Sequence, residues 1–205
     1  MTNFDERAKA WDSDPKKVKR AFDVANAIRE LIPLSREMTA FEYGCGTGLL
    51  SFELKDEFRQ ITLADTSQGM LEVLKEKISV SGVTNMNTLR LDLIIDPIPA
   101  EKFNITYSLL TLHHIHDVHS ILRKFHELLL PHGILLIADL DKEDGSFHTD
   151  ETEDVHKGFS RSELHTWVEE TGFEDVRFST AHVIRKEIAG IEKEFPVFLL
   201  HAKKV

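Results

Sequence analysis

The strongest constraint on the fold of this chain is a regular alternation of short apolar runs with amphipathic stretches. The apolar runs are predicted strands and lie at 39–43, 61–65, 87–91, 104–110 and 134–139. Strands separated by helices pair in parallel, because each helix carries the chain back to the starting edge of the sheet. The pattern predicts an α/β fold, with a seven-stranded, mostly parallel sheet and helices on both faces.

Amphipathic stretches place the predicted helices between these strands, at 16–32, 48–55, 67–80, 117–130 and 160–170. The first should start at Asp14-Pro15, a capping residue followed by a first-turn proline. Its buried face is predicted from helical spacing and consists of Val18, Ala21, Phe22, Ala25, Ile28 and Ile32. Residues 131–133 are predicted to form a turn. An antiparallel hairpin of strands at 174–182 and 195–203, joined by a charged linker, should close the sheet.

Bulk properties exclude several classes of function. At 205 residues the chain is most simply one domain. Its net charge of −10 argues against nucleic acid as a partner, which usually requires a basic surface. No apolar run approaches the ~20 residues of a membrane span, and the first residues show no secretory signal. The single cysteine, Cys45, is compatible with a reducing, cytoplasmic setting and is expected to be a small filler.

A glycine-rich turn follows the first predicted strand and reads Gly44-Cys45-Gly46-Thr47-Gly48. Glycines at this spacing allow a tight turn and let the backbone approach a ligand closely. A helix begins directly after the turn, and a helix N-terminus favours negative charge. The turn therefore predicts a nucleotide-like ligand with an anionic part.

Polar residues also end the following strands. Asp65 ends the second strand and could accept hydrogen bonds from ribose hydroxyls, although it could simply cap the next helix. Asp92 and Leu93 end the third strand and could hold the edge and face of an adenine. Asp139 ends the fifth. Because the carboxyl ends of parallel strands meet at one edge of the sheet, these residues predict one shared ligand site there.

With these motifs in place, the chain resembles the class I S-adenosylmethionine-dependent methyltransferases, over about 35–205, with ubiquinone- and menaquinone-biosynthesis enzymes as the nearest subgroup. Residues 41–48 resemble the first motif of that family, 63–71 the second, 91–93 the adenine-edge motif, and 107–115 the segment that closes over the methyl donor. Asn104 departs from the pattern, since an aspartate usually stands there.

The resemblance implies one Rossmann-like domain over 1–205, with a helical lid at 1–34 and a core at 35–205. S-adenosylmethionine would be the cofactor and S-adenosylhomocysteine the product. The implied cofactor contacts are Glu42, Gly44, Cys45, Gly46, Asp65, Thr66, Met70, Asp92, Leu93 and Leu109.

The acceptor site is predicted beyond the fourth and fifth strands. His113 and His114 are the candidate general bases for an in-line displacement, because imidazole titrates near neutral pH. Other predicted acceptor contacts are Trp11, Asp139, His148 and His156. The acids and histidines of the loop after the fifth strand suit a polar or cationic small molecule. The run from His113 to His119 matches no familiar ligand spacing and has no cysteine, so no metal site is predicted.

Three other functions remain open at the level of sequence: a methyltransferase acting on a protein, a non-catalytic cofactor-binding module on the same fold, and a nicotinamide-dependent oxidoreductase. The absence of an appended recognition domain disfavours the first. The G-x-G-x-G spacing disfavours the third, since dinucleotide-binding turns read G-x-G-x-x-G.

Overall fold

The computed structural model of the protein describes residues 3–148 and 154–205. Its helices are α1 (Asn3–Arg7), α2 (Pro15–Leu31), α3 (Leu49–Leu54), α4 (Gln68–Ser81), α5 (Val118–Leu128) and α6 (Arg161–Glu170). Its strands are β1 (Thr39–Tyr43), β2 (Gln60–Asp65), β3 (Met86–Arg90), β4 (Phe103–Leu109), β5 (Leu129–Leu140), β6 (Phe173–Ile188) and β7 (Ile191–Lys204). Short 3₁₀ turns lie at Ala8–Ser13 and Leu112–His114.

The strands form one sheet in the order β3-β2-β1-β4-β5-β7-β6. Strands β1 to β5 are parallel, and β7 is antiparallel to both β5 and β6. Residues of α2, α3 and α4 form the core on one face, and residues of α5 and α6 form it on the other. The predicted α/β, mostly parallel, seven-stranded Rossmann-like sheet with an antiparallel C-terminal hairpin is confirmed. Strand order reverses between β1 and β4, which is where ligands bind in such sheets.

Local sequence explains where the helices begin and end. Asp14 accepts a hydrogen bond from the backbone N–H of Lys16 and so caps α2, as predicted. Ser67 caps α4 in the same way, and Gly82 ends that helix in the left-handed region. The cap residue of α6 is Ser160. Among the described residues, no helix is long and apolar enough to cross a membrane.

The predicted buried face of α2 is wrong at two positions. Val18 is 38% exposed and Phe22 is 48% exposed, whereas Ala21, Ala25 and Ile28 are buried as expected. The buried stripe runs through Ala21, Val24, Ala25 and Ile28, at spacings of three and four residues. The helix is therefore rotated relative to the sequence-based prediction.

Two predicted irregular segments belong to strands. Residues 131–133 form a bulge within β5 rather than a turn, because Leu129 pairs with Phe103 while Ile134 pairs with Ile105. The supposed linker at 183–194 is the far end of the closing hairpin, in which β6 and β7 meet at a two-residue turn, Ala189-Gly190. Both turn residues have positive φ, as a tight hairpin requires.

Candidate functional site

A cavity of about 870 Å³ opens at the carboxyl ends of the central strands. It lies at the reversal of strand order and is shared by residues that follow β1, β2, β3, β4 and β5, together with residues of the N-terminal segment and of β6. Most of the predicted site residues line it: Trp11, Glu42, Gly44, Cys45, Gly46, Asp65, Thr66, Met70, Asp92, Leu109, His113, His114 and His148. We call the part formed after β1, β2 and β3 the donor half and the remainder the acceptor half.

Three predicted site residues do not line the cavity. Leu93 is fully buried, and its backbone N–H donates to the Tyr43 hydroxyl. Asp139 is also fully buried and lies beneath His113. Nε2 of His156 lies 3.0 Å from the carbonyl oxygen of Ile115. These residues support neighbouring parts of the cavity wall instead of facing its interior.

The glycine turn needs glycine for two different reasons. Gly44 has φ +70°, and a Cβ there would lie 2.2 Å from Thr111 Oγ1, so the turn packs directly on the segment after β4. Gly46 has φ +53°, and the nearest atom to its Cβ would be Met70 Sδ at 3.9 Å. The backbone at Gly46 therefore faces open space in the cavity, as a surface for close ligand approach must.

The turn is not an open cradle for an anion. The amides of Gly44 and Cys45 both donate to the carbonyl oxygen of Ala64, at 2.8 and 3.0 Å. The amide of Gly46 donates to Asp65 Oδ2 at 2.7 Å. These three amides are therefore engaged by the protein itself and are not the donors for the anionic part of a ligand. A ligand part that packs against backbone or donates hydrogen bonds fits better.

Asp65 is held in a fixed orientation at the end of β2. Its Oδ1 accepts from the Ser67 amide at 2.8 Å, while its Oδ2 takes the Gly46 amide. Burial raises the pKa of this carboxyl, and the backbone hydrogen bonds oppose that rise. Each oxygen keeps a second lone pair, so Asp65 can still accept from a ligand hydroxyl.

Glu42 is a second buried carboxyl in the donor half. Ser51 Oγ donates to Glu42 Oε2, and the same hydroxyl lies 2.6 Å from the Tyr107 hydroxyl. Burial raises the pKa of Glu42 to about 8, with a further increase from nearby Asp65. Glu42 is therefore largely protonated near neutral pH, and the donor half carries less negative charge than its sequence suggests.

Three histidine rings meet in the acceptor half. His113 Nδ1 lies 2.7 Å from Asp139 Oδ1, and both side chains are buried. The ring of His114 lies 4.1 Å from that of His113, and the ring of His148 lies 5.1 Å from it, between centroids. Burial, together with the adjacent His113 and His148, lowers the pKa of His114 to about 3, and Asp139 opposes this shift. His114 is thus neutral at physiological pH.

The N-terminal segment covers the cavity. Phe4 contacts the rings of Trp11 and His114, at centroid distances of 6.0 and 5.4 Å. Asp5 Oδ1 accepts from Ser67 Oγ and from the Gly69 amide, and so sits on the first turn of α4. Asp12 accepts from Thr47 of the glycine turn and pairs with Lys77 at 2.7 Å.

Cations line the acceptor half, and sequence reasoning missed them. They are Arg7, Lys16, Lys17, Arg20, Arg185 and Lys186. Arg20 is the most enclosed: burial lowers its pKa to about 10, and its buried Nε has no hydrogen-bond partner among the described residues. No local motif marks Arg20, because only the packing of α2 against the sheet brings it to the cavity.

Comparisons with known proteins agree with this geometry. Residues 41–137 match the family described as a methyltransferase domain. The chain is 28% identical over 169 residues to an uncharacterized methyltransferase of Schizosaccharomyces pombe, covering 75% of this chain and 58% of that protein. It is 27% identical over 154 residues to a ubiquinone biosynthesis O-methyltransferase of Marinobacter nauticus, covering 72% and 64% respectively. The chain thus spans only about three fifths of the length of these two relatives.

The fold is also found in solved structures. A SAM dependent methyltransferase from Aquifex aeolicus is similar, with a TM-score of 0.72, 20% identity and 98% of both chains covered. The family match begins within β1 and extends into β5, so it contains the glycine turn and the strand ends that shape the donor half. Motif, topology and family match thus coincide: residues 41–137 match a methyltransferase domain, and the chain is similar in sequence motifs and in fold to the class I S-adenosylmethionine-dependent methyltransferases.

Proposed function

We propose that this protein transfers a methyl group from S-adenosylmethionine to a small anionic acceptor. The observation that carries the proposal is the division of charge along one cavity. Acceptors of hydrogen bonds (Glu42, Asp65, Asp92) line the donor half, whereas six cations outnumber two carboxylates, Asp14 and Asp117, in the lining of the acceptor half. A nucleoside with hydroxyls and an ammonium group suits the first surface, and an anion suits the second.

The residues of the donor half fit the cofactor in this proposal. The open backbone at Gly46 gives room for its amino-acid end, and Asp65 has acceptor capacity left for ribose hydroxyls. Met70 and Asp92 border the space for adenine together with Thr66 and Cys45, and Leu109, at the end of β4, lines the adjoining part of the cavity. When bound, S-adenosylmethionine supplies a methyl group activated by an adjacent sulfonium.

The cations favour a different class of acceptor from the one that the sequence indicated. The loop after the fifth strand indicated a polar or cationic acceptor, but the cavity beside it carries Arg20, Lys17 and Lys186. Lys17 lies over the Trp11 ring at 3.8 Å, and Lys186 lies over the Phe147 ring at 3.6 Å. Among the described residues, Arg20 has neither such a ring contact nor a partner for Nε. A carboxylate or phosphate on the acceptor would supply that partner.

His113 is the side chain that we place against the acceptor heteroatom. Asp139 engages Nδ1, so Nε2 is the ring atom left for the acceptor. His114 and His148 form the adjoining wall, and Trp11 closes it from the N-terminal side. For an in-line displacement the protein then supplies alignment and a water-poor pocket, worth up to roughly 7–11 kcal/mol in favourable cases.

The N-terminal segment acts as a lid in this proposal, with residues 1–34 and 35–205 forming one domain. Its contacts through Asp5 and Asp12 reach α4 and the glycine turn, which are parts of the donor half. Opening the lid would admit the ligands, and closing it would exclude water. A protein acceptor is disfavoured, because a side chain on a folded protein would have to pass the same segment.

The test is a thermal-unfolding measurement with S-adenosylhomocysteine and, separately, NAD. S-adenosylhomocysteine should raise the melting temperature by mass action, and NAD should not. Asp65→Asn should weaken S-adenosylhomocysteine binding by at least ~1 kcal/mol, the scale of a lost hydrogen bond to a charged group. Asp56→Asn, on an exposed ion pair with Lys55, is the matched control.

Turnover separates an enzyme from a non-catalytic binding module. Incubation with methyl-labelled donor and a metabolite extract should label a small anionic compound. Labelling of protein alone would reject the acceptor class, and stabilisation by NAD instead of S-adenosylhomocysteine would reject the cofactor.

A further inference from the structure

We propose that His113, His114 and His148 bind one divalent transition metal of the zinc type at the acceptor end of the cavity. In this proposal the metal takes Nε2 of His113 and holds the acceptor heteroatom in place of the direct His113 contact, a role that rests on the proposed function. The binding site itself rests on the side chains alone. Sequence spacing gave no hint of it, because His148 follows β5 and the other two follow β4.

The distances suit a metal centre. One ligand atom from each of the three imidazoles lies within 4.8 Å of the other two. A tetrahedral zinc site, with Zn–N bonds of about 2.0–2.1 Å, places its nitrogens roughly 3.3 Å apart. Small side-chain rotations close that gap, since His114 and His148 are only partly buried and His148 lies in a loop.

Asp139 supplies the outer support that such sites require. Metal-bound histidines usually donate their second N–H to a carboxylate, which fixes the ring and leaves the other nitrogen for the metal. His113 Nδ1 lies 2.7 Å from Asp139 Oδ1. Asp139 is itself held, because it accepts from the backbone amides of His113 and Leu140. The His113 ring is therefore already fixed, with Nε2 left for the metal. Metal binding need not order this side chain further.

The ligand set leaves room for a reactant. Three protein ligands with an open fourth position are typical of catalytic zinc sites, whereas structural sites are closed by four. All three histidines line the cavity, so the open position faces it. A metal cation near Arg20 would further favour an anionic acceptor, which would complete the coordination as a carboxylate, thiolate or alkoxide.

Other histidines of the same region do not join the cluster. His116 is 69% exposed and lies 3.8 Å from Asp154. His119 packs against Trp167, at 5.0 Å between ring centroids. His116→Ala is therefore a matched control, because it removes one histidine three positions from His113 and leaves the cluster intact.

The experiment is a titration with cobalt(II), followed by its visible ligand-field absorption. The protein is purified without a histidine tag and stripped with a chelator. We expect one equivalent to bind with the intense bands of a four- or five-coordinate site, and zinc to displace it. His148→Ala should weaken cobalt binding by roughly 100-fold, Asp139→Asn by about 10–100-fold, and His116→Ala not at all. His114→Ala replaces His148→Ala if that variant does not fold.

Weak, multi-site cobalt binding, or binding that is equal in His148→Ala and the wild type, would overturn the proposal. S-adenosylhomocysteine stabilisation is measured on the same samples. If it persists while cobalt fails to bind, the metal site is rejected and the proposed function stands. If cobalt binds at one equivalent and S-adenosylhomocysteine does not stabilise, the donor assignment and the acceptor-holding role fail, and the metal site stands.

Discussion

The donor half and the acceptor half of the cavity are built in different ways. The donor half comes from consecutive segments after β1, β2 and β3, and its key groups are glycines and carboxyls that the fold requires at strand ends. The acceptor half gathers α2, the turns after β4 and β5, and the far end of β6, and its key groups are histidines and cations. One half therefore follows from a local motif, whereas the other exists only once distant segments have packed.

The halves touch at Gly44, where the largest effect is expected. Gly44→Ala imposes a left-handed residue, costing roughly 1–2 kcal/mol, and drives Cβ into Thr111 at 2.2 Å, which adds about 1–3 kcal/mol. We expect this variant to lose S-adenosylhomocysteine binding and several degrees of melting temperature. Gly82→Ala has a similar φ of +67° and nothing within 4 Å of its Cβ. If the two variants behave alike, the halves are not coupled through this contact.

The charge of the donor half depends on pH through Glu42. Its folded pKa is about 8 and its ordinary value is 4.5, so between these values the folded state holds a proton that the unfolded chain has released. The stabilisation that this proton gives to the folded state is therefore complete below about pH 4.5 and is lost as the pH rises through 8. We expect the free energy of unfolding to fall by up to ~1.4 kcal/mol per pH unit in this window. Urea unfolding of Glu42→Gln should show a flatter profile.

In the acceptor half, Arg20 should act on the acceptor and not on the cofactor. Arg20→Met should raise the KM of the labelled acceptor by about 10–100-fold, the worth of a charge-assisted hydrogen bond, and leave S-adenosylhomocysteine affinity unchanged. Lys19→Met is the control, since the Lys19 side chain is 67% exposed and paired with Asp23. A change in cofactor affinity for Arg20→Met would contradict the proposal that the cations bind the acceptor alone.

The smallest effect is expected at the lid. Asp12→Asn weakens the hydrogen bond from the buried Thr47 hydroxyl and the partly exposed ion pair with Lys77, and such an ion pair is worth about 0.2–1 kcal/mol. S-adenosylhomocysteine should dissociate a few-fold faster in stopped-flow measurements, at unchanged melting temperature of the free protein. An unaltered dissociation rate would leave the N-terminal segment as a fixed part of the core rather than a lid.

The donor half could be predicted from the sequence because it depends on residues that are close together in the chain. Positive φ at Gly44 and Gly46, and an acid at the end of β2, follow from the turn itself. The sequence also predicted His113 and His114 for the acceptor site, and both side chains line the cavity. Arg20 and the clustering of His148 were out of reach, because they depend on how α2 and the loop after β5 pack.

The wrong predictions for residues 183–194 and for the buried face of α2 have the same origin. The charged residues at 183–194 indicated a linker, yet Arg185 and Glu194 face each other across the hairpin and pair at 2.7 Å. Alternating charge is equally typical of an exposed strand pair, and only the partner strand decides between the two. Val18 and Phe22 were predicted to be buried for a similar reason. Helical spacing does not reveal where around the helix axis of α2 the buried stripe lies.

The hairpin end carries a consequence for how the pocket can change over evolution. Beyond the hydrogen bond from the Asp141 amide to Pro196, β6 and β7 pair only with each other among the described residues, and Ile184, Arg185 and Lys186 from this stretch line the cavity. Insertion or deletion of residue pairs there would lengthen or shorten the ladder while every strand in the main sheet kept its register. New acceptor preferences can thus be acquired at the tip of the hairpin, with the cofactor turn left untouched.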